Sequence, residues 1–256
     1  MKTLSKRFLI LIFLAGYTNL QVASGQGFRM SAAVGYGLSA GERELGHTST
    51  SSGIKNVKGS FGKGLAFTLV PGYMFSRQLG IEAGLNAVFS DEYEFISDPY
   101  GGQFAESATV KAKMFRAMPG IILSAGDTNK IEPYAHFGPV IGFGGDININ
   151  RVENGQNGAV TRTFNYSQGL SIGWYGGLGL RYRISRKIKL DCGLLTICQS
   201  YAPEKLENTM NTDGSPLSDP KIFSDELTTA SSDHENLKVY FPFGSIGFNI
   251  GLQVRF

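Results

Sequence analysis

The stretch SIGFNIGLQVRF, residues 245–256, decides the fold class because its side chains alternate without a break. Apolar residues occupy every second position from Ile246 to Phe256, and small or polar residues, with one arginine, fill the positions between them. Strict alternation is typical of a β-strand whose two faces meet different surroundings. The segment therefore predicts a terminal strand whose apolar face meets either a protein core or lipid.

Seven further segments show the same alternation, and the connections between them fall into two classes. The segments are residues 28–38, 65–75, 79–89, 114–123, 131–141, 170–184 and 188–196. Three connections are tight turns, at 76–78, 125–130 and 185–187. Four connections are long, polar and rich in Gly, Ser, Asn and Asp, at 39–62, 91–109, 144–168 and 202–236. Tight and long connections alternate along the chain.

This alternation of connections indicates a membrane-spanning barrel. Short turns at one end and long loops at the other are typical of such barrels, and closure leaves no strand edge exposed to lipid. We therefore predict an all-β fold, an eight-stranded antiparallel up-and-down transmembrane β-barrel. The alternative is a secreted soluble β-sandwich or barrel with its apolar face inward. It is disfavoured because the polar face is rich in glycine, which suits a crowded barrel interior.

The N-terminus predicts export. Lys2, Lys6 and Arg7 precede an apolar run at 8–16, and Ala23 and Gly25 form a pair of small residues before the expected cut. A basic start, a short apolar run and small residues before a cleavage point are the features of a secretory signal peptide, and the run is too short for a spanning helix. We expect a signal peptide at 1–25, cleaved after Gly25, and one barrel domain at 26–256. A retained helical anchor is the less favoured alternative.

Composition and cysteine spacing narrow the possibilities further. The formal net charge of +3 over 256 residues is too small to indicate a nucleic-acid partner. Cys192 and Cys198 lie six residues apart in one predicted strand. Such a strand segment spans about 20 Å, which is too far for a disulfide. We expect both to be free, buried thiols.

Three stretches carry a resemblance to a known family. IEPYAHFGPVIGFG (131–144), GWYGGLGLRYRISRKIKL (173–190) and GFNIGLQVRF (247–256) resemble small eight-stranded outer-membrane barrels of the OmpA/OmpX-like type, and look closest to the PorT-like group. The resemblance covers nearly all of residues 27–256. It implies a location in the outer membrane of a Gram-negative cell. It also implies that the terminal Phe256 is the signal read by the barrel assembly machinery during insertion.

The polar face of the strands carries a set of charges that would lie inside the barrel, near its periplasmic end. They are Arg29, Glu82, Glu132, Arg181, Arg183, Lys189, Asp191 and Arg255. Arg29 and Arg255 lie on the first and last strands, which must pair to close the barrel. An eight-stranded barrel is only wide enough to be filled by side chains, so we interpret the set as a salt-bridge plug. The alternative is a gate or a small, porin-like ion-conducting pore.

Four lysines fall on the lipid side of the strands at their loop ends: Lys63, Lys111, Lys113 and Lys238. Long cationic side chains at this height can reach lipid phosphates. We expect outer-membrane lipid, in particular lipopolysaccharide, as a partner, with a solvated rim as the alternative.

The long loops indicate a surface without recognisable chemistry. Residues 202–236 carry eight acidic and two basic side chains, but without the regular spacing of a calcium site. Long loops on a rigid scaffold are where an unknown surface or envelope partner would bind. Three histidines are present: His47 lies with Ser49 in the first long loop, His234 lies in the fourth, and His136 lies on a predicted strand and faces inward. We expect no cofactor, no metal and no enzymatic activity. A lipid A-modifying barrel enzyme is the second alternative.

Overall fold

The computed structural model describes residues 27–50, 53–97, 106–125, 130–155, 158–210, 221–224 and 235–256. The predicted signal peptide lies outside these residues. Within them the chain is built of β-strands. None of the described residues belong to a helix that is long and apolar enough to cross a membrane.

The described residues form sixteen strands in one sheet. In chain order they are β1 (Gly27–Ser39), β2 (Arg43–Thr50), β3 (Gly53–Gly59), β4 (Gly64–Met74), β5 (Leu79–Ser90), β6 (Tyr93–Ser97), β7 (Glu106–Ser124), β8 (Ile131–Gly155), β9 (Gly158–Ser167), β10 (Ser171–Arg183), β11 (Ile188–Tyr201), β12 (Lys205–Met210), β13 (Lys221–Ser224), β14 (Glu235–Leu237), β15 (Phe241–Pro242) and β16 (Ser245–Arg255).

Eight of these strands close into a barrel. The strands β1, β4, β5, β7, β8, β10, β11 and β16 each pair antiparallel with the barrel strand before and the barrel strand after them. β16 then pairs with β1, from Arg29 opposite Arg255 to Ser39 opposite Ser245. The predicted up-and-down barrel is confirmed. No edge is left open around this ring, which is what lipid surroundings require.

Side chains on each barrel strand alternate between the lumen and the exterior. On β7, Met114, Met118 and Ile122 are buried, whereas Phe115 and Ile121 are more than 40% exposed. The same alternation places a continuous set of exposed apolar side chains around the barrel exterior. Such a surface is too large and too apolar for water and is the one expected to meet the hydrocarbon of a bilayer. The fold is therefore that of a transmembrane barrel.

Two of the short turns use the same local chemistry. Ser76 Oγ accepts hydrogen bonds from the backbone N–H groups of Gln78 and Leu79, at 3.2 and 3.0 Å. Ser185 Oγ accepts the equivalent bonds from Lys187 and Ile188, at 3.3 and 3.1 Å. A serine at the start of a turn stabilises it by satisfying such N–H groups. These turns define the turn end of the barrel, and the opposite end is called the loop end below.

The long connections are more ordered than their composition indicated. β8 continues beyond the barrel to Gly155 and pairs with β9, which pairs with β12 and, through it, β13 and β14. On the other side β6 pairs with β7 and meets the β2–β3 hairpin. The prediction of polar loops is wrong for these segments. Their outward face meets water rather than lipid, so an alternating strand such as 146–150 carries Asp146 and Asn148 where a barrel strand carries apolar residues.

A bulge at Gly144 and Gly145 links the barrel part of β8 to its extension. Gly144 has a positive φ of 60°, which favours glycine. A Cβ at Gly145 would lie 2.6 Å from the Tyr201 ring. The register with β7 shifts between Lys113 and Phe115.

The two cysteines are free, as expected, but they are not buried. Cys198 is exposed and Cys192 is half-buried. Cys198 pairs with the exposed Trp174, so both lie on the exterior face. The expectation of buried thiols is wrong because the apolar face of β11 points outward.

Candidate functional site

The lumen near the turn end is filled by a charge network centred on Glu132 of β8. Its carboxylate accepts a hydrogen bond from Ser124 Oγ at 2.9 Å and from Arg181 Nη1 at 3.1 Å. Lys189 Nζ donates to its other oxygen. All four side chains lie on the inward faces of neighbouring strands and are buried. The barrel closure therefore brings together residues that lie far apart in the chain.

Asp191 forms the second carboxylate of this layer. Arg181 Nε donates to it at 3.1 Å, and the Tyr134 hydroxyl donates to its other oxygen at 2.7 Å. The Arg181 guanidinium also lies 3.9 Å from the centre of the Tyr134 ring. Arg181 is 3% exposed and bridges both carboxylates. Its charge is compensated on two sides, as a buried charge requires.

Arg29 is the loosely held member of the predicted lumen charges. Its Nη1 lies 3.9 Å from Glu132, and its buried Nη2 has no hydrogen-bond partner among the described residues. Arg255 lies opposite Arg29, and Arg183 opposite Lys189, in the strand register. Arg255 is exposed and Arg183 is half-buried, so both lie at the mouth of the turn end rather than in the filled lumen.

Glu82 lies in a separate layer nearer the middle of the barrel. Its carboxylate is 2.6 Å from His136 Nδ1, and the Tyr175 hydroxyl donates to it at 3.3 Å. Two glycines of β10 make room for these large side chains. A Cβ at Gly177 would lie 2.3 Å from His136 Nε2, and one at Gly179 would lie 2.4 Å from the Tyr134 ring. The glycines on the polar face of β10 therefore leave room for the large side chains of the neighbouring strand β8.

Arg116 forms a third layer, and the set of charges drawn from the sequence omits it. Arg116 is 1% exposed. Its guanidinium donates to Gln199 Oε1 at 2.8 Å, to Asn86 Oδ1 at 3.3 Å and to the Phe243 carbonyl at 2.9 Å. These acceptors are neutral, and no carboxylate of the described residues contacts the group. In the sequence, its position on the same face of β7 as Met114 and Met118 is the feature that predicts an inward side chain.

An aromatic cap lies at the loop end of the barrel and is defined as Phe61, Tyr201 and Phe243 with the backbone around them. The Phe243 ring centre lies 5.6 Å from that of Phe61 and 5.7 Å from that of Tyr201, and all three side chains are at most 2% exposed. Backbone bonds fix the cap: the Phe61 N–H donates to the Pro242 carbonyl at 2.8 Å. Ser60 Oγ donates to the Gly244 carbonyl at 2.6 Å. No pattern in the sequence predicted this cap.

Two small cavities lie between these layers. A cavity of about 50 Å³ lies beside Glu82, Tyr134, His136 and Asp191. A second cavity of about 20 Å³ lies beside Arg116. Each has the size and polarity to hold one or a few water molecules.

The rim lysines, Lys63, Lys111 and Lys113, lie at the loop end and contact acidic side chains. Lys63 Nζ lies 3.4 Å from Asp91, Lys111 Nζ 2.7 Å from Glu92, and Lys113 Nζ 3.0 Å from Asp146. The fourth predicted lysine, Lys238, lies half-buried between β14 and β15.

Phe256 lies at the turn end on the exterior. Its ring is 71% exposed and its centre lies 5.7 Å from that of Phe28. Its N–H donates to the Phe28 carbonyl at 3.0 Å. Recognition of this residue by the barrel assembly machinery stays a prediction.

The arrangement of possible metal ligands and of His136 is defined in the part of the chain that the structure describes. There, no group of three or more His, Cys, Asp and Glu side chains is arranged to hold a metal ion. The side chains of His47 and His234 lie outside the described residues.

No protein-family model matches the chain, and no curated protein sequence is significantly similar to it. Solved structures of outer-membrane proteins do match. OprG from Pseudomonas aeruginosa has 10% identity and a TM-score of 0.46, with 93% of this chain and 99% of OprG covered. Ail of Yersinia pestis, in complex with the heparin analogue sucrose octasulfate, has 12% identity and a TM-score of 0.39, with 90% and 99% covered. The Escherichia coli outer-membrane protease OmpT has 9% identity and a TM-score of 0.32, with 93% and 99% covered.

These likenesses are to barrels of the outer membrane, the class expected from the sequence resemblance. Because the identities and TM-scores are low, the fold assignment rests on the strand pairing of this chain. The finer resemblance to PorT-like proteins stays a prediction.

Proposed function

We propose that this chain is an integral β-barrel protein of the outer membrane whose lumen is plugged by side chains, with a structural or surface-interaction role. The observation that carries the proposal is the sequence of layers across the lumen. The Glu132 network, the Glu82–His136 pair, Arg116 and the aromatic cap follow one another from the turn end to the loop end. In the outer membrane the turn end would face the periplasm.

The charges of the plug are mutually dependent. Burying an ion is costly, and removing one partner leaves its counter-ion uncompensated, which costs about 3–5 kcal/mol. Glu132 holds Arg181 and Lys189 together, and Asp191 holds Arg181 from the other side. The network therefore favours one closed arrangement over an open, water-filled path.

Single-channel conductance of the refolded protein in a planar bilayer tests the plug. The wild type should be silent. A variant with Glu82→Gln, Glu132→Gln and Asp191→Asn should become leaky, because the lumen cations Arg29, Arg181 and Lys189 then repel one another without these three carboxylate charges. A matched control with Glu92→Gln, an exposed rim position, should stay silent.

A steady wild-type current would contradict the plug and favour the alternative of a small ion-conducting pore. A silent triple variant that is still folded would show that the charges are not what closes the lumen. Folding of each variant is checked by its heat-modifiable migration on gels.

We infer that the chain has no enzymatic activity. The acid–histidine pair of the lumen, Glu82 and His136, has its remaining imidazole nitrogen directed at Gly177 rather than at a hydroxyl or thiol. Acyl-transfer chemistry needs a nucleophile within reach of that nitrogen. Incubation with labelled lipopolysaccharide, followed by mass analysis of its acyl chains, should show no change.

We further propose that Lys63, Lys111, Lys113 and Lys238 contact phosphates of lipopolysaccharide. The first three are 39–63% exposed in spite of their acidic partners. Changing all four to glutamine should lower the amount of co-purified lipopolysaccharide. Unchanged lipid content would refute the contact.

A further inference from the structure

The two ends of the barrel carry opposite charge. At the turn end, the segments 75–79, 124–131, 183–188 and 254–256 contain six basic residues and one acidic residue, Asp127, which lies outside the described residues. The segments 91–109 and 202–236 of the loop end contain thirteen acidic and two basic residues. The turn end is therefore a basic surface on a molecule whose opposite end is acidic.

Five of the six basic residues lie side by side and are called the basic mouth below: Lys130, Arg183, Arg186, Lys187 and Arg255. The Arg183 N–H donates to the Lys130 carbonyl at 2.8 Å, and the Arg255 N–H donates to the Lys187 carbonyl at 2.9 Å. These residues lie at the turn-end limits of β8, β10, β11 and β16, which are consecutive strands of the ring. Arg183 is half-buried and the other four are exposed.

The excess of positive charge continues into the lumen beneath the basic mouth. There, Arg29, Arg181 and Lys189 contact two carboxylates, those of Glu132 and Asp191. This layer thus has one more cation than anions. The buried Nη2 of Arg29 has no hydrogen-bond partner among the described residues. An anion that approaches the basic mouth is therefore attracted, not repelled, by the layer behind it.

The direction of the side chains decides from where such an anion arrives. Arg183 alternates along its strand with Tyr182 and Ile184, which are 49% and 60% exposed on the exterior of the barrel. Arg255 precedes Phe256, which also lies on the exterior. Successive side chains of a strand point to opposite faces, so Arg183 and Arg255 point to the lumen side. Lipid head groups surround the outside of the ring, so a ligand of these two arginines arrives from the water along the barrel axis.

We propose that the basic mouth binds an acidic peptide segment of a periplasmic protein. Guanidinium groups donate paired hydrogen bonds to carboxylates, and opposite potentials bring such partners together. Four neighbouring strands at about 4.8 Å spacing give a row about 14 Å long, which four or five residues of an extended segment would span. The inference rests on the proposed outer-membrane location, which puts the turn end in the periplasm, and it names the class of partner for the surface-interaction role.

The test uses the whole mature protein in phosphatidylcholine nanodiscs and a fluorescent hexaglutamate peptide, whose binding is followed by anisotropy. Wild type should bind hexaglutamate and should not bind hexaglutamine. Arg183→Gln with Arg255→Gln should weaken binding roughly tenfold, equivalent to about 1.4 kcal/mol. The matched control is Arg43→Gln with Arg77→Gln, which removes the same charge at two exposed positions outside the basic mouth. It should weaken binding less than about twofold, because exposed distant charges are screened.

A second comparison uses two equivalent turns. Arg186 and Arg77 each follow the serine that stabilises its turn. Arg186→Gln should weaken binding about threefold, and Arg77→Gln should leave it unchanged. Heat-modifiable migration on gels verifies that each variant is folded.

Several outcomes would overturn the proposal. They are absence of hexaglutamate binding by wild type, and equal losses for the mouth pair and the control pair. Displacement of the peptide by millimolar inorganic phosphate would mean a small-anion site instead. Loss of binding when phosphatidylglycerol replaces phosphatidylcholine would mean that lipid head groups occupy these cations. The conductance test of the plug uses no peptide, so failure of the plug and failure of the basic mouth are read separately.

Discussion

The two ends of the lumen carry different chemistry. At the turn end, Glu132 and Asp191 hold Arg181 and Lys189 in a buried charge network. At the loop end, Phe61 and Phe243 pack together through apolar rings and are held by backbone hydrogen bonds. The difference follows from what the chain can supply at each end. The short turns cannot fold back over the barrel, so strand side chains occupy its turn end, whereas the longer segments at the loop end can return over the opening.

Arg116 lies between the charge network and the aromatic cap and differs from both. It is a buried cation like Arg181, yet its three acceptors are neutral, and one of them is the carbonyl of Phe243 in the cap. Its role is therefore to tether the cap rather than to balance charge. A buried cation is therefore not enough to make a residue part of the charge network at the turn end. Membership of that network requires contact with a carboxylate, Glu132 or Asp191.

The largest loss of stability is expected at the centre of the charge network. Glu132→Gln leaves Arg181 and Lys189 without their shared counter-ion, which should lower the free energy of unfolding by about 3–5 kcal/mol. Urea unfolding in lipid vesicles, followed by fluorescence of the single tryptophan, measures it. Glu92→Gln, which breaks the exposed pair with Lys111, should cost under about 1 kcal/mol. Equal losses for the two variants would show that the network is not stabilising.

A slightly smaller loss is expected at the cap. Phe243→Ala removes a fully buried ring from the cluster around Phe61 and Tyr201, and such changes cost about 3 kcal/mol. The loss should be local, with faster hydrogen exchange at residues 60–62 and 241–244 and little change at the turn end. Uniform acceleration over the whole barrel would show that the two closures are one cooperative unit.

Arg116→Met should cost less than either. It removes three hydrogen bonds and leaves Gln199 and Asn86 short of a donor, but it also removes an uncompensated buried charge, so we expect about 1–2 kcal/mol. The same hydrogen-exchange measurement should show the cap loosened. A loss as large as that of Glu132→Gln would mean that Arg116 is paired with a carboxylate after all.

The smallest effect is expected in the turns. Ser185→Ala removes the acceptor for the N–H groups of Lys187 and Ile188 at an exposed site, which should cost about 0.5–1 kcal/mol. The equivalent change at Ser76 should match it. A much larger loss of unfolding free energy at either serine would show that the turns, rather than the charges in the lumen, stabilise the turn end.

Sequence analysis was informative for features that depend on one strand alone, such as which of its side chains face inward. Arg181 and Glu132 each alternate with apolar residues along their strands, and this position on the polar face was enough to predict that they point into the barrel. Sequence analysis was wrong where the structure of a segment depends on a partner strand. Residues 144–168 have the composition of a loop. They form the end of β8 and the whole of β9 because the two segments pair with each other through backbone hydrogen bonds. The lysines of the rim were placed by parity, but their pairing with Asp91, Glu92 and Asp146 depends on neighbouring strands.

By itself the sequence determined the number of barrel strands, their order, and which face of each is apolar, because alternation is a local property with a period of two residues. The tertiary structure alone decided which charges meet and that Phe61 and Phe243 pack together at the loop end. Those contacts join residues up to about 200 positions apart, and their geometry is set by the register of the closed barrel.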